Sequence, residues 1–177
     1  MLDTAVILCA GRGTRLYPVT LDRPKAAINV AGKPVVARIA EDLVSAGIRR
    51  AVVVVSPTDN TTAGLLKARG PRNLEVTAVV QDEPLGLAHA VQCARKSVGD
   101  SSFLLYLGDE LIYPGTSTFL DAAARAGGDG AILLKAVDEP EHFGVAILNG
   151  HRVVRLQEKP KPAPSNLAVV GLYILPP

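Results

Sequence analysis

The sequence predicts an α/β fold, a Rossmann-like three-layer sandwich in which helices cover both faces of a mostly parallel central sheet. Short apolar, β-branched segments alternate with segments of helical periodicity through the first 137 residues. Such alternation requires crossover connections between parallel strands. The length of 177 residues fits one domain. Hydrophobic residues make up 48% of the chain and aromatic residues only 4%, so we expect an aliphatic core.

Two apolar runs near the N-terminus predict buried strands. Residues 4–9 form a short apolar run that stops at glycine, and residues 51–55 are alanine followed by four valines. This β-branched composition is typical of a parallel strand that is covered on both faces. A helix is predicted between them, because Pro34 suits its first turn, apolar residues then recur every three or four positions, and Gly47 fits the left-handed position after its end.

The same alternation continues through the middle of the chain. Helices are predicted from apolar residues spaced three and four apart and from glycine at their ends, and strands from short apolar runs. The predicted segments, in order, are helix 58–69, strand 74–80, helix 87–98, strand 103–107, helix 116–126 and strand 130–137.

The pattern changes after Asp138. Strands at 145–148 and 152–156 are joined through Asn149-Gly150, a strong hairpin signal. A proline-rich loop over 159–164 precedes a last strand at 168–175. We therefore predict one domain over residues 1–177, with parts at 1–137 and 138–177.

Charge and cysteine content exclude several classes of function. Nineteen basic and seventeen acidic residues leave a net charge of +2, which is too weak to indicate a nucleic-acid or membrane-surface partner. No apolar run approaches the roughly 18 residues that span a membrane, and no basic segment precedes the first apolar run as in a signal peptide. Cys9 and Cys93 form no metal or redox motif. These features predict a soluble cytoplasmic protein with free thiols.

Polar residues follow three of the predicted strands. Residues 11–15 (GRGTR) follow the first strand, Gln81 follows strand 74–80, and Asp109 follows strand 103–107. Ligands of open parallel sheets bind outside the carboxyl ends of the strands. We therefore expect these residues to share one ligand site.

The glycine loop suits phosphate binding. Its glycines permit close backbone approach, and successive N–H groups can surround phosphate oxygens. The loop lacks the Gly-Lys-Ser/Thr ending of a P-loop, and Leu16 occupies the third glycine position of a dinucleotide-binding fingerprint. Arg15 and Lys25 supply two cations that suit a phosphate ligand.

The motif extends further along the chain. Residues 10–20 (AGRGTRLYPVT), Pro24-Lys25 and residues 32–34 (GKP) together resemble the signature of sugar-1-phosphate nucleotidyltransferases, in particular glucose-1-phosphate thymidylyltransferases and uridylyltransferases. Four later groups resemble this family in the same order. They are Gln81 with residues 85–90 (LGLAHA), residues 107–109 (LGD), residues 143–145 (FGV) with 158–160 (EKP), and residues 165–173 (SNLAVVGLY).

The resemblance implies the nucleotide-diphospho-sugar transferase fold and a reaction. A nucleoside triphosphate, dTTP or UTP, and a sugar 1-phosphate, glucose 1-phosphate in this branch, would give a nucleotide sugar and pyrophosphate, with Mg²⁺ as cofactor. The implied catalytic residues are Arg15 and Lys25, and the implied magnesium ligand is Asp109. The implied nucleotide-binding residues are Ala10, Gly11, Gly13, Thr14, Arg15, Gln81 and Gly86, and the implied sugar-phosphate-binding residues are Gly144, Glu158, Lys159 and Gly171.

Alternatives to these roles stay open at this point. Gln81 could be a solvated loop residue, Asp109 a turn residue, and Glu158 with Lys159 a surface pair, while His89 is interpreted as a structural residue. Members of the family continue beyond this length, so the resemblance implies an uncovered sheet edge at the last strand, 168–175, which favours self-association into a homo-oligomer. They also carry a second metal-binding aspartate, whereas this chain has no aspartate after Asp138. A catalytically incomplete binding module or accessory subunit is therefore the alternative function.

Overall fold

A computed structural model describes residues 2–11 and 13–177, without the side chain of Arg15. Short 3-10 helices cover residues 14–16, 25–27 and 140–142. The other elements, in chain order, are β1 (Thr4–Leu8), β2 (Asn29–Val30), β3 (Lys33–Pro34), α1 (Val35–Ser45), β4 (Arg50–Val55), α2 (Thr62–Arg69), β5 (Glu75–Val80), α3 (Leu87–Val98), β6 (Phe103–Leu107), α4 (Thr116–Ala126), β7 (Ala131–Ala136), β8 (Gly144–Asn149), β9 (Arg152–Glu158) and β10 (Leu167–Leu175).

The four strands β5, β4, β1 and β6 lie side by side in that order and are all parallel. Each is reached through a crossover, as the alternating pattern predicts. The second half of the eight-stranded sheet is antiparallel: β10 pairs with β6, and the hairpin of β8 and β9 adjoins β10. The predicted α/β fold with a parallel sheet centre is confirmed.

Helices cover both faces of the parallel strands because successive strand residues point to opposite sides. In β1, Ala5 and Ile7 face a core formed with α1, α2 and α4, whereas Val6 and Leu8 face a core formed with α3. All four residues are buried. The three layers place the carboxyl ends of β1, β4, β5 and β6 along one edge. Among the described residues, no helix is long and apolar enough to cross a membrane.

The position of β10 corrects one expectation. Its last residues pair with β6, Ala168 pairs with β8, and β7 runs along its other side. The strand is therefore internal, and the predicted uncovered edge at 168–175 is wrong. Composition identifies a strand, but it carries no information about which strands will flank it. The homo-oligomer stays a prediction.

One helix begins later than predicted, and another is capped by a residue from a distant part of the chain. The helix predicted from residue 58 begins at Thr62, because the Asp59 carboxylate accepts hydrogen bonds from the backbone N–H groups of Thr61 and Thr62 at 3.0 and 2.9 Å. This capping holds the preceding residues outside the helix. Helix α4 begins at Thr116 as predicted, but its capping carboxylate is supplied by Asp42 of α1.

Candidate nucleotide-binding site

A cleft of about 410 Å³ opens at the carboxyl ends of β1, β5 and β6. Eight of the predicted site residues line it: Ala10, Gly11, Gly13, Thr14, Lys25, Gln81, Gly86 and Asp109. The three polar features that follow separate strands therefore meet in one place. Arg15 lies in the 3-10 helix that follows Gly13, and its side chain is outside the described part of the structure.

The glycine loop is held by its own neighbours. Gly13 has a φ of 62°, in the left-handed region, and its carbonyl accepts a hydrogen bond from Thr20 Oγ1 at 2.8 Å. A side chain at this position would lie 3.1 Å from Thr20 Cγ2. Gly11 is different, since a Cβ atom there would meet nothing within 4 Å. The loop thus presents open backbone to the cleft at Gly11 while Gly13 fixes its turn.

Lys25 and Asp109 form an ion pair on the cleft wall. They lie 84 positions apart in the chain, and their side chains are 30% and 36% exposed. The fold therefore brings one cation and one carboxylate to the same point of the cleft, next to the glycine loop.

The base of the cleft is a close contact between two parallel strands. A side chain on Gly108 would lie 2.8 Å from the Leu8 carbonyl oxygen and would overlap Cys9 Sγ. Glycine is required here because the two chain segments touch. Burial raises the pKa of the Cys9 thiol, and the charges of Asp59 and Asp109 raise it further. Cys9 therefore contributes a neutral, packed thiol, and both cysteines are free as predicted.

Gln81 is buried, with 6% of the residue exposed. Its Nε2 atom donates to the Gly86 carbonyl oxygen at 3.1 Å and lies 3.1 Å from His89 Nδ1. These contacts exclude the alternative of a solvated loop residue. Gly86, with a φ of 97° that suits only glycine, precedes α3. A Cβ atom at Gly86 would meet nothing within 4 Å, so the backbone angle, and not crowding, requires glycine.

The predicted sugar residues lie outside the described lining of this cleft, and three of them, Gly144, Glu158 and Lys159, lie together at the hairpin of β8 and β9. Gly144 pairs with Glu158 across β8 and β9, and a Cβ atom at Gly144 would lie 3.0 Å from Glu158 Oε2. Lys159 has a φ of 42°, and its Nζ atom lies 3.8 Å from Glu158 Oε1. Both side chains are exposed, as in an ordinary surface ion pair.

Gly171 connects β10 to the segment that carries Asp109. Its N–H donates to Glu110 Oε2 at 3.0 Å, and a Cβ atom on Gly171 would lie 2.5 Å from Leu107 Cγ. Close packing against Leu107 therefore requires glycine at position 171, and this packing is reason enough for the glycine without any ligand. Burial raises the pKa of the Glu110 carboxyl, and the charge of Asp109 raises it further, against the opposing effects of the Gly171 hydrogen bond and Lys25.

Comparison with known proteins identifies the family. Residues 4–177 match the nucleotidyl transferase family. The chain belongs to this family. It is 39% identical over 178 residues to glucose-1-phosphate thymidylyltransferase from Streptomyces antibioticus, a match that covers 98% of this chain and 49% of that protein. It is 34% identical over 176 residues to UTP–glucose-1-phosphate uridylyltransferase from Haloferax volcanii, covering 98% of this chain and 72% of that protein.

The structure of this nucleotidyl transferase family member also has solved counterparts. UDP-glucose pyrophosphorylase from Acinetobacter baumannii aligns with a TM-score of 0.86 and 27% identity, over 99% of this chain and 75% of that one. The resemblance inferred from the motifs is thus confirmed at the level of the family and of the fold. The chain spans about half the length of the thymidylyltransferase it matches.

The cleft offers few protein ligands for a metal ion. Among residues 2–11 and 13–177, no group of three or more His, Cys, Asp or Glu side chains is arranged to hold a metal. Asp109 offers one carboxylate to the cleft, while the Glu110 carboxylate is turned to the Gly171 N–H. One carboxylate fits Mg²⁺ where phosphate oxygens and water complete the shell.

Two contacts of the site were not anticipated from the sequence. The first is the hydrogen bond from the Gly171 N–H to the Glu110 carboxylate, which joins residues 61 positions apart. The second is the contact between Gln81 and His89. His89 was interpreted as structural because it lies on a helix with an apolar stripe. The one signal in the sequence was the position of His89 three residues after Gly86. Helical periodicity does not tell that the Gln81 side chain will contact His89.

Proposed function

We propose that this chain carries the nucleotidyl transfer site of a sugar-1-phosphate nucleotidyltransferase that uses dTTP or UTP. A sugar 1-phosphate oxygen, with glucose 1-phosphate the favoured substrate, attacks the α-phosphorus. The new P–O bond forms as the bond between the α-phosphorus and the bridging oxygen breaks. The products are a nucleotide sugar and pyrophosphate. The names of the relatives support this assignment.

One observation carries the proposal: Lys25 and Asp109 meet on the wall of a cleft that the glycine loop and Gln81 also line. The attacking phosphate oxygen is already an anion, so the reaction needs no protein nucleophile. It needs two polyanions to be held together, and positioning with charge neutralisation is the main source of catalysis in such reactions.

The catalytic roles follow from charge. Lys25 neutralises the reacting phosphates, and Arg15 holds the triphosphate and stabilises the departing pyrophosphate. Backbone N–H groups of Ala10, Gly11, Gly13 and Thr14 bind phosphate oxygens. Gln81 hydrogen-bonds the pyrimidine edge next to Gly86.

The sugar 1-phosphate is assigned to the predicted sugar residues that lie outside the lining of this cleft. Glu158 accepts hydrogen bonds from sugar hydroxyls, Lys159 binds the sugar phosphate, and Gly144 and Gly171 border the sugar. The exposure of the Glu158 carboxylate and the Lys159 ammonium group supports this role, because a ligand can reach both groups. A cytoplasmic location and the absence of nucleic-acid partners stay predictions.

Asp109 would hold Mg²⁺ together with the substrate phosphates. When bound, the ion would neutralise phosphate charge and fix phosphate geometry. Lys25 already pairs with Asp109, so this lysine sits within reach of the same phosphate oxygens.

Replacement of Lys25 tests the catalytic assignment. Lys25→Ala should reduce pyrophosphate release from UTP or dTTP with glucose 1-phosphate by roughly 10²–10³-fold, as expected for the loss of one transition-state contact. Lys96→Ala, an exposed lysine of the last turn of α3, serves as the matched control and should keep full turnover. Near-normal turnover in Lys25→Ala would refute the role. A wild-type chain that binds both substrates without releasing pyrophosphate would favour the binding module.

Replacement of Asp109 tests the magnesium assignment. Without added metal, Asp109→Asn should bind UTP as well as the wild type or better, because a carboxylate that repels the triphosphate is gone. With Mg²⁺ the wild type should gain about tenfold in affinity, near the value of one hydrogen bond to a charged group, and the variant should gain little. Calorimetric titrations with and without Mg²⁺ measure both. An equal gain in wild type, Asp109→Asn and the exposed control Asp129→Asn would contradict the assignment.

A further inference from the structure

The Gln81 amide is held by two groups that both belong to the start of α3. We infer that His89 is a positioning residue that orients this amide, and that it thereby makes the cleft select uracil or thymine over cytosine. The inference rests on the proposed binding of a pyrimidine nucleotide beside Gln81. It assigns a function to a histidine that the proposed mechanism does not use.

The Gly86 carbonyl oxygen, just before α3, fixes the direction of the Gln81 amide nitrogen. The Gly86 carbonyl oxygen lies 3.1 Å from Gln81 Nε2. A carbonyl oxygen can only accept a hydrogen bond, so the amide must turn its NH₂ group towards it. The Gly86 backbone, fixed before the helix by its positive φ, thus determines one N–H of Gln81.

The second N–H of the Gln81 amide points to the ring of His89. His89 Nδ1 lies 3.1 Å from the same Nε2 atom, so the ring must accept there and carry its proton on Nε2. Cys93 Sγ lies 4.0 Å from His89 Nε2, where a sulfur atom is a weak acceptor for that proton. His89 is half-buried on the first turn of α3. Both amide hydrogens of Gln81 are therefore directed inside the protein.

The remaining polar atom of the Gln81 amide is its oxygen, Oε1. It has no hydrogen-bond partner among the described residues, and no buried side-chain nitrogen or oxygen in that part of the chain lacks a partner. Oε1 therefore reaches the surface, and Gln81 lines the cleft. Because both amide hydrogens are used within the protein, Oε1 is the atom that the amide has left for a base bound in the cleft.

An acceptor at this position selects among pyrimidines. Uracil and thymine carry a ring N3–H, which donates to Oε1, whereas N3 of cytosine is itself an acceptor and would face Oε1 with no proton between them. A site built around a hydrogen bond rejects an analogue that leaves its polar group unpaired. His89 and the Gly86 carbonyl oxygen together keep the amide in this orientation, and removing the histidine acceptor leaves only one of these two contacts.

Two variants of His89 separate orientation from packing. His89→Asn keeps an acceptor at the position of Nδ1, whereas His89→Leu keeps the bulk and removes the acceptor. Calorimetric affinities for UTP, dTTP and CTP should give a UTP preference over CTP of about tenfold in the wild type and in His89→Asn, near the value of one hydrogen bond. In His89→Leu this preference should fall below the wild-type value, because the Gly86 carbonyl alone then holds the amide. An unchanged ratio in His89→Leu overturns the inference while leaving nucleotide binding intact.

The ring itself offers a test that needs no ligand and no variant. In ¹⁵N-labelled wild-type protein, the ring nitrogens of His89 should show the neutral form protonated at Nε2. Protonation at Nδ1 overturns the inference. If the wild-type chain binds none of the three nucleotides, the proposed function fails and the base selection fails with it, which distinguishes that outcome from the selective failure in His89→Leu.

Discussion

At the scale of single residues, Glu110 carries an energetic cost. Its carboxylate accepts the Gly171 N–H in a half-buried setting, and burial raises its pKa. A carboxyl group with a higher pKa in the folded state binds protons more tightly than in the unfolded state. Its contribution to stability is therefore greatest at low pH and is lost as the pH rises from the unfolded pKa through the folded one.

Glu110→Gln should accordingly stabilise the chain at pH 7, since the amide oxygen keeps the hydrogen bond from Gly171 and no charge is buried. The advantage over the wild type should shrink as the pH falls towards the ordinary glutamate pKa of about 4.3. Urea unfolding at several pH values, without divalent cations, measures the difference in free energy of unfolding. Glu75→Gln, at an exposed position of β5, is the control. A difference independent of pH would show that titration of Glu110 is not its cause.

At the scale of elements, α4 depends on a carboxylate from another helix. Asp42 of α1 accepts hydrogen bonds from the Thr116 backbone N–H at 3.0 Å and from Thr116 Oγ1 at 2.5 Å. Gly115 allows this approach, because a Cβ atom there would lie 2.9 Å from Asp42 Oδ1. The contact caps α4 and fixes its position against α1 at the same time.

Asp42→Ala should lower the free energy of unfolding by about 1–2 kcal/mol, the range for the loss of a helix-capping side chain. Asp42→Asn should lower it less, since one amide oxygen can still accept the Thr116 N–H. Urea titrations followed by circular dichroism compare both variants with the wild type. Equal losses in the two variants would mean that charge, and not the capping hydrogen bond, stabilises this helix start.

The sequence predicted the individual helices and strands better than it predicted which of them contact one another. The helices and strands follow from local periodicity, and all the predicted ones are present. The cap from Asp42 to Thr116 spans 74 positions, and the insertion of β10 between β6 and β7 depends on contacts across the sheet. Neither leaves a local pattern, so neither could be predicted.

The candidate site divides in the same way. Its polar residues after β1, β5 and β6 were predictable, because the carboxyl ends of parallel strands share one edge. The contact from Gln81 to His89 was not, because helical periodicity tells which residues share a face and says nothing about what lies opposite.

At the scale of the whole molecule, β10 joins the parallel and antiparallel halves of the sheet. Leu172 of β10 pairs with Tyr106 of β6, and both side chains are fully buried in the core that also contains Ile7. The antiparallel hairpin of β8 and β9 contacts the rest of the sheet through the same strand. We therefore propose that residues 1–177 unfold as one cooperative unit.

Leu172→Ala tests this proposal, because it leaves a cavity where the two halves meet. It should lower the free energy of unfolding by about 2–5 kcal/mol, the range for a buried leucine. Leu156→Ala on β9, where the side chain is 49% exposed, is the matched control and should cost far less. Tyrosine fluorescence and circular dichroism should report the same single urea transition in all three proteins. Two separated transitions in Leu172→Ala, with one half of the sheet surviving the other, would contradict a single unit and would make the hairpin region a separately folding part.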